Sequence, residues 1–267
     1  MKSKSGGLGA RQSTMRSSSL RILPIFLVSV VALLLAGASP ELWAKEIPFD
    51  RAKLIIEFNS SANEGVGDVG VQVLLDGEPW HALKMKDRFG RTILEITAST
   101  SLRRQGLTEL FFESSEPSLD EVPLAQFLRR FPEGIYEFEG RTIDGQEIEG
   151  EAKFTHIIPA GPVIVSPGEG DVVDPNALII EWEPVTQKIA GSGAGALVIV
   201  AYQVVVDGGN PSRRFDVTLA AKPTNMSVTV PPEFLEPGTE YTFEVLAIEA
   251  GGNQTITESS FVTASRP

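Results

Sequence analysis

Between Leu235 and Ile248 the chain reads LEPGTEYTFEVLAI, and its second half alternates. Tyr241, Phe243 and Val245 fall on one side, Thr242 and Glu244 on the other, up to the apolar end at Leu246. Alternation of period two requires a β-strand with one face in a core. Pro237-Gly238, just before it, supplies the turn that delivers the chain into that strand. A chain built around such a strand needs partner strands on both sides and a second layer beneath.

Earlier segments supply candidates. Residues 52–58 (AKLIIEF) read as a first strand, the polar stretch Asn59–Asp68 as a loop, and Val71, Val73 and Leu75 as the next alternating strand. Asp76-Gly77 is a turn signal and predicts a hairpin with His81–Met85. Further strands are expected at Arg91–Thr97 and Leu107–Glu113. The pattern changes over Ser118–Phe131. Ser118 with Glu121 three residues on makes a capping box, and Leu124, Phe127, Leu128 and Phe131 recur at helical spacing. One short amphipathic helix near 118–131 is expected, with Pro123 in the first turn, where a missing N–H costs little. Arg129-Arg130 suits the negative end of the helix dipole. Asp144-Gly145 then predicts a hairpin with Tyr136 and Phe138 on one strand and Ile148, Ala152 and Phe154 on the other. FPEGIYEF (Phe131–Phe138) echoes LEPGTEYTF (Leu235–Phe243) with a one-residue slip, as the last hairpins of two related sandwiches would.

Ile157–Asn176 carries four prolines and reads as a domain boundary. Beyond it, ALIIEWEPV (Ala177–Val185) puts Trp182 on a second strand, and residues 197–206 put Tyr202 on a third. Lys188–Ala196, between them, reads as a flexible insertion. Arg213–Leu219, Met226–Val230, Tyr241–Ile248 and Thr255–Val262 complete seven strands. Trp182 and the spacing Leu235-x-Pro237-x-Thr239-x-Tyr241 resemble the fibronectin type III module, over Gly161 to about Ala264. A Tyr opening the penultimate strand, its hydroxyl reaching back to upstream backbone, is the tyrosine corner of immunoglobulin-like sandwiches. The resemblance implies an interaction or spacer module beside other extracellular domains, and no catalytic residue. The expected fold is all-β: two tandem immunoglobulin-like or fibronectin type III-like sandwiches, 45–158 and 161–264, the first carrying the helix.

The N-terminus holds Lys2, Lys4, Arg11, Arg16 and Arg21 and no acid before Glu41, followed by an apolar run from Ile22 to about Ala38. Small residues at Ala36-Gly37-Ala38 make this a secretory signal peptide, 1–38, with cleavage after Ala44 as the alternative. The competing reading is an uncleaved anchor helix, for which the run is at the short limit. Removing it takes five bases and no acids from a chain whose formal charge is −12, so the exported protein is more acidic still. Such a surface repels nucleic acid and anionic lipid. With no cysteine, both domains stand on hydrophobic cores, and thiol catalysis and Cys-ligated zinc are excluded.

GVGDVG (Gly65–Gly70) matches a dinucleotide fingerprint, but a strand follows it where the pyrophosphate needs a helix N-terminus. Asn63, Glu64 and Asp68 in that loop, and Asp171 and Asp174 at the boundary, are loose oxygen sets that calcium would use to stiffen a loop or the joint, against the plainer reading of solvated loops. His81 and His156 lie far apart, and no G-x-S-x-G elbow offers a nucleophile. Glu137, Glu139, Glu147, Glu149 and Glu151 alternate along a hairpin, which puts them on a solvated face rather than across a catalytic cleft. Trp80, after Pro79, is the candidate binding residue if exposed, as an aromatic platform for sugar rings, and otherwise a core residue. The function this implies is a non-enzymatic exported binding or structural module, with an extracytoplasmic protein or polysaccharide as partner and no cofactor beyond loosely held calcium. The alternative is carbohydrate binding through the N-terminal domain.

Overall fold

The structure is a computed structural model, which describes residues 46–62, 65–222 and 224–265. The signal segment, both cleavage points and the pair Asn63–Glu64 lie outside the described residues.

The first sandwich is organised by one strand. β3 (Asp68–Lys86) runs for 19 residues. Its first half pairs antiparallel with β2 (Arg51–Asn59) and β5 (Leu107–Glu113), its second half with β4 (Thr92–Thr97) and β6 (Gly134–Thr142). β6 pairs with β7 (Glu147–Phe154), which takes β1 (Ile47–Pro48) as a short parallel neighbour. Two sheets, β2-β3-β5 and β4-β3-β6-β7-β1, therefore share β3. Between them lie Leu54, Val73, Leu75, Trp80, Leu83, Tyr136, Phe138 and Phe154.

The hairpin expected at Asp76-Gly77 does not form; the chain runs through it as the strand passes from one sheet to the other. The ladder irregularities fall there, between Asp76 and Trp80. At Gly77 a Cβ would lie 3.0 Å from Phe49 Cδ1 and 3.1 Å from Ile148 Cδ1, so this glycine serves close packing at the crossing rather than a turn.

Among the described residues two helices are present where one was expected. α1 (Thr100–Gln105) is a single exposed turn or so before β5. α2 (Leu124–Arg130) buries Leu124, Phe127 and Leu128. The capping box does not start it: Ser118 closes a separate turn, with Glu121 and Val122 amides bonded to Ser118, and Pro123 takes the N-cap position. A proline at that point sets the preceding backbone extended, so the helix begins after it.

The second sandwich pairs a three-stranded sheet, β8 (Ile164–Ser166), β10 (Ile179–Trp182) and β13 (Ser227–Thr229), with a longer one. The latter runs β12 (Arg213–Ala220), β11 (Ile199–Gly208), β14 (Glu240–Glu249), β15 (Gln254–Thr263), with β9 (Asp171–Val173) parallel on β15. Trp182, Tyr202, Tyr241, Phe243 and Phe261 fill the core. Glu236 N–H donates to the Tyr241 hydroxyl at 2.8 Å, and Val185 N–H to that of Tyr202 at 2.8 Å.

The two halves have one strand order. β8-β10-β13 matches β2-β3-β5, and β12-β11-β14-β15-β9 matches β4-β3-β6-β7-β1. The second and third strands are separate in the second sandwich and fused as β3 in the first. The echoed Pro/Gly turn also has its counterpart: the Tyr136 hydroxyl donates to Pro132 O at 3.1 Å, four residues back, where Tyr241 reaches five back. The chain is thus all-β, two immunoglobulin-like sandwiches in tandem.

Candidate functional site: the joint between the sandwiches

The outer edge of β15 is divided between two partners. Phe261–Thr263 pairs with β9 of its own sandwich, while Gln254–Ile256 pairs in parallel with Glu57–Asn59 of β2 in the other. One sheet path therefore runs through both halves. Asn253, 1% exposed, sits at the start of this seam. Its Oδ1 accepts the Ile56 amide at 2.8 Å, and its Nδ2 donates to Thr155 O at 3.0 Å and Ile157 O at 2.9 Å. Thr255 Oγ1 donates to Pro159 O at 2.7 Å, and Ser60 donates to Ile256 O from both its amide and its hydroxyl. One asparagine thus satisfies backbone groups from β2 and the linker at once, as a buried polar side chain must.

A second connection comes from the Lys188–Ala196 insertion. Instead of standing free, it is laced to the linker: Ala160 N–H donates to Gln187 O, Ile189 N–H to Ile158 O and Gly193 N–H to His156 O. Lys188 Nζ closes the loop on Gly193 O and Gly195 O. Ile189 packs against the core of the first sandwich, and Gly193 approaches His156 so closely that a Cβ would lie 2.8 Å from the His156 Cβ.

Beside the seam, Glu57, Glu113 and Glu116 bring carboxylate oxygens within 4.8 Å of one another, the one such group of three among the described residues. Gln254 Nε2 donates to Glu57 Oε2, and Gln72 Nε2 to Glu113 Oε1 at 2.8 Å. Burial, then Glu113, pushes Glu57 up to about 7 against the opposing bond from Gln254. Burial, then Glu113, Glu57 and Asp68, pushes Glu116 up to about 7 as well. Asp68 is raised by burial, then by Glu258 and Glu113. Three carboxylate oxygens are half of what calcium needs. Both neighbouring amides turn N–H groups toward the cluster, the orientation for anions and not for a cation shell.

The residues singled out from sequence are not brought to this joint as a set. Trp80 is 0% exposed in the first core, so its ring offers no face to a sugar, and the core reading is the one observed. Asp171 accepts Gly168 N–H and Asp174 accepts Asn176 N–H, each inside its own turn. His81 Nδ1 lies 3.0 Å from Arg103 Nη1, and His156 Nε2 lies 2.6 Å from Phe131 O, so both rings have structural partners. Gly65–Gly70 leads into β3, a strand. The glutamates of the β6–β7 hairpin lie on its outer face, with Lys86 on Glu139 and Arg141 on Glu147. Asn253-Gln254-Thr255 has the pattern of an N-glycosylation acceptor, but burial and bonding of Asn253 remove it as an acceptor for glycan in the folded chain.

No protein-family model matches the chain, and no curated protein matches it. Among solved structures it is similar to the FN1-FN3 domains of chicken CNTN1, with a TM-score of 0.30 and 11% identity over 82% of this chain and 65% of that one. It is also similar to a tetra-tandem repeat in the extending region of a large adhesion protein, with a TM-score of 0.28 and 10% identity over 80% and 50%. A third is from a 1.5-MDa bacterial ice-binding adhesin, with a TM-score of 0.26 and 13% identity over 83% and 66%. The chain spans about half to two thirds of the length of these structures. It is the strand order of the two halves that makes them immunoglobulin-like sandwiches. No helix among the described residues is long and apolar enough to cross a membrane.

Proposed function

We propose that the chain is an exported, non-enzymatic binding or structural module, acting outside the cytoplasm by holding two immunoglobulin-like sandwiches at a fixed separation. The second sandwich, from 161 to 264, is of the fibronectin type III kind, and the first extends from 45 to 158. The observation that carries this reading is the joint: a β-ladder, a buried asparagine and a laced insertion fasten two halves that a plain linker would leave to swing. Relative domain motion is the default unless an interface is built against it. A built joint suits a part whose task is to set a distance and an orientation. The partner is a protein or polysaccharide of the cell exterior, met through loops and sheet faces.

Two experiments test this. Capture of partners by the immobilised protein from native envelope and secreted material, read by mass spectrometry and glycan analysis, is expected to enrich one component over controls. N-terminal sequencing of the exported product is expected to begin at Ser39 or Lys45. A product beginning at Met1, or turnover in a broad hydrolase screen that survives purification, would refute the reading.

A further inference from the structure

Two sandwiches of one strand order differ along one edge. In the second, β9 lies in parallel on β15 at Phe261, Val262 and Thr263, and Gly170 N–H donates to Ser260 O at 3.0 Å. The tyrosine corners mark the equivalent place in the first, because Tyr241 pairs with Phe261 and Tyr136 with Ala152. There β1 sits nearer the start of β7, on Ile148 and Glu149, and among the described strands none pairs with the outer edge of β7 from Glu151 to Phe154. Phe49 N–H donates to Glu149 O at 2.8 Å, and Asn253 Nδ2 to Thr155 O at 3.0 Å. Period two along the strand therefore turns the backbone N–H and C=O of Glu151 and Lys153 out of that same edge. On β2 the Ile56 amide reaches Asn253, so Ala52 and Leu54 turn their own backbone groups to that side too. A groove of about 470 Å³ runs between these edges, lined by Ala52 and Leu54, by Glu151 and Ala152, and by Ala196 and Val198 of the second sandwich. Lys53 and Lys153 also line it, exposed, and neither is in an ion pair among the described residues.

We propose, resting on the reading of the chain as a binding module, that this open edge of β7 is where a partner protein docks, by adding an extended acidic peptide as a parallel strand. In such strand addition the main-chain bonds supply affinity and alternate side chains supply specificity. The chain's own β9 shows what the equivalent edge of the second sandwich accepts: Asp171-Val172-Val173, β-branched residues beside an acid. The two lysines favour the acid, and Leu54, Ala196 and Val198 favour the apolar residues.

The edge is bounded at both ends. Phe49 holds Glu149 O at one and Asn253 holds Thr155 O at the other, so about four residues of the peptide enter. The joint sets that length, because Asn253 comes from the second sandwich. A peptide in this groove touches both halves, through β7 and β2 on one side and Val198 on the other.

The test titrates the purified protein into an array of short labelled peptides that alternate valine or isoleucine with aspartate or threonine, read by fluorescence anisotropy. The aspartate-bearing peptides are expected to bind. A copy of the tightest, N-methylated at alternate amides so that it loses main-chain donors, is expected to bind at least about tenfold more weakly. Lys153→Pro removes the outward N–H, which the β6 ladder does not use, and is expected to weaken binding at least about tenfold. Lys153→Ala keeps that N–H and is expected to cost only about two- to threefold. No binding by any peptide, equal binding of the N-methylated copy, or equal affinities of Lys153→Pro and Lys153→Ala would overturn the proposal. So would displacement of the peptide by polygalacturonate, which would make the groove a sugar site. A dimer in sedimentation velocity that Lys153→Pro dissociates would overturn it too, making the occupant a second copy. If Lys153→Pro does not fold, the N-methylated peptide on the wild type decides. A component of native envelope material captured equally by wild type and Lys153→Pro would leave the module reading standing and remove this site.

Discussion

Replacing Asn253 by alanine removes the side chain that ties the sandwiches together, and its cost can be worked from the bonds lost. The Ile56 amide, on a residue with 0% exposure, loses its acceptor and has no route to water. An orphaned buried amide costs about 1–3 kcal/mol. Thr155 O and Ile157 O lose a donor, but both residues are part-exposed, so each loss is nearer the net value of one bond, about 0.5–1.5 kcal/mol. Together these give about 4 kcal/mol. For a chain of this size that is a fall in Tm of about 8–16 °C. Asn225→Ala, which gives up only exposed bonds, one to Ala220 O and one from the Thr224 hydroxyl, is the matched control and is expected to change stability by less than about 0.5 kcal/mol. Urea denaturation followed by circular dichroism gives both numbers, and the joint variant should also separate the two sandwiches into distinct transitions. A loss at Asn253 no greater than at Asn225 would refute the argument that this residue fastens the halves.

Other substitutions probe the cores. Tyr241→Phe leaves the Glu236 amide without its hydroxyl partner and is expected to cost about 1 kcal/mol by the same denaturation assay, with Tyr136→Phe, which frees Pro132 O, costing less. Trp80→Ala empties a fully buried site and is expected to cost about 3–5 kcal/mol, while leaving any sugar response of the wild type to be explained by other residues. Gly208→Ala brings a Cβ to 2.5 Å from Tyr241 Cδ1 and 2.9 Å from Glu240 O, and is expected to cost about 1–3 kcal/mol and to shift the Tyr241 ring signals in an NMR spectrum.

Much of the architecture was legible because strand alternation is a local signal. The strands at 52–58, 107–113 and 241–248 and the hairpin at Asp144-Gly145 are found at those places, and Trp182 and Tyr241 point into the core their spacing implied. Asp76-Gly77 misled because a glycine signals a turn and a tight crossing with the same letter; only Phe49 and Ile148, remote in sequence, tell them apart. The Ser118 box misled for a related reason, since Ser118 bonds the amide of Glu121 in a lone turn as readily as at a helix start. The joint was illegible. Asn253 meets Ile56 across 197 positions, and nothing in the local pattern Gly251-Gly252-Asn253 distinguishes such a residue from an ordinary turn asparagine. Glu57 and Glu116 likewise become a cluster only once β2 and β5 flank β3.

The pairing of β15 with β2 also fixes an order of events during synthesis. Chains emerge N-terminus first, and the first sandwich has all of its own strands once Phe154 is out. Its β2 edge at Glu57–Asn59, however, waits for Gln254–Ile256 of β15, which emerge long afterwards. Contacts at such separation are the slowest to close. Until then an open strand edge invites pairing with a neighbouring nascent chain. A late segment is therefore what seals an early one, and a chain shortened before residue 254 would carry a complete first core with an unguarded border.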